Sequence, residues 1–168
     1  LTGGVAVLKA GAPTETEMKE RKDLLDDALH ATKAAVEEGV VPGGGLVFLR
    51  AIESVNKGRS KVRGDEKVGF DILMKALKSP MRQIVDNGGG DGEVIVEELL
   101  EKTGNTGYDA ANGKFVDMIK AGIIDPAKVA RTALENASSV SGLMLTTNVM
   151  VTDLKDDKQE NAETGAVA

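Results

Sequence analysis

Three consecutive glycines, Gly43, Gly44 and Gly45, follow Pro42 and precede an apolar run that starts at Leu46. Glycine has no Cβ, so such a run at a helix start leaves backbone N–H groups bare. Two uses fit: close packing of one helix across another, which is the commoner, and the close approach of an anionic ligand. A second run, Gly88 to Gly90, lacks the Lys-Ser/Thr ending of a phosphate-binding P-loop and reads as a plain loop. Glu20, Asp23, Asp26 and Asp27 share one long polar stretch, where a solvated helix face accounts for them. Asp125, just before Pro126, suits a helix N-cap with proline at the first helical position. His30 falls one turn beyond Asp26 and reads as a local polar partner. With no cysteine and one histidine, the usual zinc sites and thiol chemistry are excluded, and any metal would be a hard ion on oxygen ligands.

The elements that must position these residues are mostly helical. Leu1 to Pro13 alternates Val5 and Val7 with Ala6 and Leu8 and predicts a short edge strand in need of a partner. Thr14 and Glu17 form a capping-box pattern, and a helix of roughly 35 Å runs from there to Glu38. Its apolar stripe (Met18, Leu25, Ala28, Leu29, Thr32, Ala35, Val36) is narrow, so the helix reads as a strut between a core and a neighbouring domain. Gly39 supplies the positive φ of a helix C-terminus, and Pro42 keeps the helix from resuming.

From Gly44 the pattern turns apolar. Leu46, Val47, Leu49, Ile52 and Val55 predict a buried helix, and 57–66 a charged loop. A helix over 67–78 is predicted to break at Ser79-Pro80 and restart to Asn87, with another helix over 92–102. Asn112-Gly113 between 107–111 and 114–116 is a hairpin signal. A long helix then starts at Asp125-Pro126 and passes Val140, followed by a β-prone run over 146–152 and a polar tail predicted to be disordered.

At 168 residues the chain suffices for one helical core plus an extension. A net charge of −6 without a basic block argues against nucleic acid and against an anionic membrane surface as partners. No apolar run approaches membrane-spanning length, and a start at Leu1 reads as neither a native N-terminus nor an export signal. The chain reads as a piece of something longer.

Four separated segments now carry a resemblance: LDDALHATKAAVEEGVVPGGG over 25–45, GYDAA over 107–111, GIIDP over 122–126 and TTNVMVTD over 146–153. In this order they closely resemble the C-terminal part of a group I chaperonin, the GroEL type, and the match covers nearly the whole chain except the tail. The resemblance implies a mainly α fold: a helical half of an equatorial domain with a small β-hairpin and short edge strands, preceded by a long intermediate-domain helix. Residues 1–40 would be the intermediate-domain segment, 41–153 the C-terminal half of the equatorial ATP-binding domain, and 154–168 the tail. The tail lacks the glycine-methionine repeats with which the family often ends.

The resemblance further implies that Asp27 is the catalytic aspartate, orienting the water that attacks ATP. It implies that the Gly44 backbone meets the nucleotide, that Asp109, Ala110 and Ala111 lie beside the adenine, and that Asp125 accepts from the ribose hydroxyls. The family's type member has asparagine where Asp109 stands, so an amide is replaced by an acceptor-only carboxylate. ATP and Mg2+, with K+ as an accompanying ion, are the implied cofactors, the metal ligands lying mostly in an N-terminal half outside this sequence. Implied partners are identical subunits in a double ring, a co-chaperonin lid and unfolded clients. The implied compartment is the bacterial cytoplasm, with mitochondrial matrix and plastid stroma as the other homes of the family. This fragment alone is expected to be inactive in ATP hydrolysis and folding. A rival reading makes the chain a helical oligomerisation module whose glycines serve packing and which binds no nucleotide.

Overall fold

A computed structural model of the chain describes residues 4–152. The predicted tail, 154–168, lies outside the described residues. Five helices and four short strands follow in the order α1 (Glu15–Glu38), β1 (Val40–Pro42), α2 (Leu46–Arg59), α3 (Asp65–Asn87), α4 (Gly92–Glu101), β2 (Thr106–Asp109), β3 (Lys114–Asp117), β4 (Ile124–Pro126) and α5 (Ala127–Leu145). The strands make two antiparallel pairs, β1 with β4 and β2 with β3. The mainly α expectation holds.

Internal contacts divide the chain into two compact units, Leu1–Ala133 and Leu134–Ala168. The core of the first is built where α2, α3, α4 and the β2–β3 hairpin meet. Leu46 and Leu49 from α2, Met81 and Val85 from α3, Val96 and Leu99 from α4, and Met118 after β3 are buried together. Each such side chain contributes about 1.5–3 kcal/mol by leaving water. In the second unit, Thr146 and Thr147 donate hydroxyl hydrogen bonds of 2.9 and 2.8 Å to the Leu143 carbonyl.

α1 starts as its sequence demands, with the Thr14 hydroxyl accepting from the Glu17 N–H at 3.2 Å. It ends at Gly39, whose φ of +81° no β-carbon would favour and whose N–H donates to the Ala35 carbonyl. None of its residues is buried.

Several expectations fail, each for a physical reason. The strand predicted near Val5–Leu8 does not form: the edge strand has no pairing partner among the described residues, and 4–9 lie exposed. The 146–152 run is likewise not a strand, Thr146 and Thr147 being used on the last turn of α5. Pro80 does not break α3: Leu77, Met81 and Val85, four residues apart, are buried on both sides of it and hold the helix through one missing backbone bond. The charged loop shrinks to 60–64 because α2 runs on to Arg59 and α3 begins at Asp65.

The hairpin forms, but Asp109 pairs with Lys114, leaving a four-residue loop over 110–113 instead of a two-residue turn. Asp125 is not an N-cap and Pro126 is not inside the helix. Both belong to β4, in register with Val41 and Val40, and α5 starts one residue later. That short ladder continues past both its ends: Ala127 N–H donates to the Gly39 carbonyl (3.0 Å) and Gly43 N–H to the Ile123 carbonyl (2.9 Å).

Candidate functional site

The β1–β4 ladder joins the base of the strut to the start of α5 and brings one face of each together. Between them lies an open groove of about 760 Å3, within the usual size range of small-molecule sites. Asp27 lines it from α1 with His30, Ala34 and Glu37, and Pro126, Lys128, Val129 and Thr132 line it from the other side. Asp27 is exposed, so its carboxylate is hydrated and accessible to a ligand. At the groove's edge Lys128 pairs with Glu37, and Arg131 donates to both Glu38 carboxylate oxygens at 2.6 and 3.1 Å. The Arg131 hydrogen bond, helped by the charges of Arg131 and Lys128, holds the Glu38 carboxyl below its ordinary pKa.

Gly44 and Gly45 stand at φ +62° and +81° in the turn that opens α2. Every glycine of the run is also a close packing point. A Cβ would lie 3.1 Å from the Ile123 carbonyl oxygen at Gly43, 3.1 Å from the Met118 side chain at Gly44, and 2.8 Å from the Met81 backbone nitrogen at Gly45. The helix-crossing use holds at Gly45, which faces α3, whereas Gly43 and Gly44 pack on Ile123 and Met118 outside the helices. Asp125, half-buried in β4 opposite Val41, comes to the same ladder that leads into the glycine turn.

Asp109, Ala110 and Ala111 sit at the hairpin's loop end, which packs on the turn after α3: a Cβ on Gly88 would meet the Ala110 carbonyl oxygen at 3.2 Å. The Asp109 carboxylate closes its own loop. It accepts from the Asn112 side-chain amide (2.7 Å), and from the N–H groups of Ala111 (3.0 Å) and Asn112 (3.2 Å). The Asn112 side chain chiefly, then the Asn112 and Ala111 N–H groups and the Lys114 charge, hold the Asp109 carboxyl below its ordinary pKa. Its acidity is thus set within the loop.

The structure brings Asp27 and Pro126 to one groove, while Asp125 lies beside it in the β1–β4 ladder that leads into the glycine turn. Lys128 and Thr132, which complete the groove, escaped the sequence reading; their spacing of four on one helix face was the available signal. Asp91, whose carboxylate caps α4 by accepting from Glu93 and Val94 at 3.1 Å, was also missed, although a carboxylate before Gly-Glu is a recognisable start signal. Among the described residues no group of three Asp, Glu, His or Cys side chains is placed to hold a metal ion.

The described residues thus form a mainly helical fold with a glycine-opened helix, a small hairpin and a long helix, without buried residues, that carries a carboxylate over a groove. The TCP-1/cpn60 chaperonin family model matches residues 1–155, and the chain belongs to that family. It is 52% identical over 160 residues to Chaperonin GroEL 5 of Bradyrhizobium diazoefficiens, covering 95% of this chain and 30% of that protein. Among solved structures it resembles a group III chaperonin in the open state (TM-score 0.77, 33% identity, covering 84% of this chain and 30% of that one). It also resembles an open-state monomer of a group II chaperonin from Methanococcoides burtonii (TM-score 0.67, 26% identity, covering 80% and 35%). The chain thus spans 30% of the length of the curated relative it matches.

Proposed function

We propose that this chain is part of an ATP-driven chaperonin of the group I type, which encloses non-native proteins and assists their folding. In this reading residues 1–40 belong to an intermediate domain and 41–153 to half of an equatorial domain. The working protein is a double ring of identical subunits with a co-chaperonin lid, in the bacterial cytoplasm. Its ATPase uses Mg2+ and K+ held chiefly by residues outside this sequence. ATP, when bound, supplies the scissile γ-phosphoryl group. Gly44 presents backbone to it, Asp109, Ala110 and Ala111 flank the base, and Asp125 accepts hydrogen bonds from the ribose.

Asp27 accepts a hydrogen bond from the attacking water and orients it. The observation that carries the reading is the groove shared by Asp27 and Pro126, the residue next to Asp125. A carboxylate on a helix with no buried residue can also be moved toward or away from its target at little cost in packing. In the full-length protein, Asp27→Ala is expected to retain ATP binding and to slow single-turnover hydrolysis about 10²-fold or more. Unchanged hydrolysis would return Asp27 to a solvated helix face.

The close packing at Gly43, Gly44 and Gly45 favours one other reading, a helical interaction module that binds no nucleotide. Asp125→Ala in the full-length protein separates the two. Weakened ATP binding supports the chaperonin site, and unaltered binding supports the module.

A further inference from the structure

Arg50 is half-buried on α2 and donates four hydrogen bonds, all to main-chain carbonyls. They reach Leu99 (2.9 Å) and Lys102 (2.6 Å) at the end of α4, Gly104 (3.0 Å) in the following loop, and Thr106 (2.9 Å), the first residue of β2. A helix C-terminus leaves its last carbonyls without intrahelical partners and favours a cation. α4 has no basic residue in its own last turn, so Arg50 supplies that cation from another helix. Four residues before it, on the same face of α2, Leu46 comes so close to Gly107 that a Cβ there would meet its side chain at 3.1 Å. One face of α2 therefore grips two successive residues of β2, through a side-chain contact at Gly107 and the guanidinium at Thr106. This same end of α2 opens from the glycine turn.

We propose that Arg50 is a positioning residue for nucleotide recognition: it locks the foot of the hairpin to α2, so that the Asp109–Ala111 tip and the Gly44 turn keep one fixed separation. This rests on the reading of Asp109, Ala110 and Ala111 as the segment beside the base. A flat base is discriminated by a gap of fixed width, and a hairpin free to pivot at Thr106 loses that width. Lysine cannot replace arginine here, because one ammonium cannot reach four carbonyls arranged around a planar fork.

The test uses the full-length protein with Arg50→Lys and, as a second variant, Arg50→Gln, each beside Asp125→Ala. For Arg50→Lys the expected result is a KM for ATP raised about 5- to 10-fold with kcat within about twofold, and a comparable fall in preference for ATP over GTP. Arg50→Gln should show the same pattern at least as strongly. Wild-type KM and ATP preference in Arg50→Lys would overturn the proposal, as would equal losses for ATP and GTP or a lowered unfolding midpoint alone. If Asp125→Ala weakens ATP binding in that case, the chaperonin site stands and only the role of Arg50 falls. If neither variant alters binding, the underlying reading falls as well.

Discussion

Gly45 and Asp109 are the residues at which local chemistry is most tightly determined. At Gly45 a positive φ and the Met81 backbone both oppose a side chain. Gly45→Ala is therefore expected to destabilise the fold by about 2–4 kcal/mol, read from the midpoint of denaturant unfolding at unchanged m-value. At Asp109 the hydrogen bonds require an ionised acceptor, so the folded pKa lies below the unfolded one. The stabilisation they give is present above the unfolded carboxylate value of about 4 and is lost as pH falls through the folded value. Amide exchange at Ala111 and Asn112, corrected for intrinsic rates, should accelerate in that acid window in wild type. In Asp109→Ala it should already be fast at neutral pH. Protection that ignores both changes would remove Asp109 from the loop's closure.

At the scale of elements, α4 shows how a short helix is held. Asp91 caps its start, Arg50 its end, and Leu99 is fully buried beneath it. Leu99→Ala should cost about 2–5 kcal/mol in unfolding free energy, and a loss below 1 would mean that the core can collapse around the gap. Features set by local chemistry were readable from sequence. Thr14 and Gly39 bound α1 because a hydroxyl cap and a positive φ act within a few residues. The β1–β4 ladder was not readable, because three-residue strands show no periodicity and Val40 finds Pro126 far along the chain. That pairing is why Asp125 lies in a strand, although Asp-Pro is a sound cap signal. Arg50 was silent for a similar reason: its partners are main-chain carbonyls 49 to 56 positions away, and carbonyls carry no sequence signature. Pro80 misled because propensity is local, whereas the burial of Leu77, Met81 and Val85 is not.

For the whole molecule, the family was legible from its separated segments, and the comparisons bear it out. The candidate site was less so, since Asp27 looks like its acidic neighbours until the groove sets it opposite Pro126. If the proposed division of labour is right, the isolated 168-residue chain should turn over no ATP above background, and steady phosphate release from pure chain would contradict it.

The absence of any buried residue on α1 also bears on how this chain meets a protease. A segment that leaves no cavity behind when it opens has little to resist local unfolding, and cleavage follows the population of the open form. Brief trypsin treatment should therefore cut within α1, after Lys19, Arg21, Lys22 or Lys33, before it cuts within α2 to α4, leaving a resistant body that keeps those three helices together. First cuts after Lys61 or Arg63, with α1 still attached to β1, would mean that the strut is held more firmly than its surface suggests.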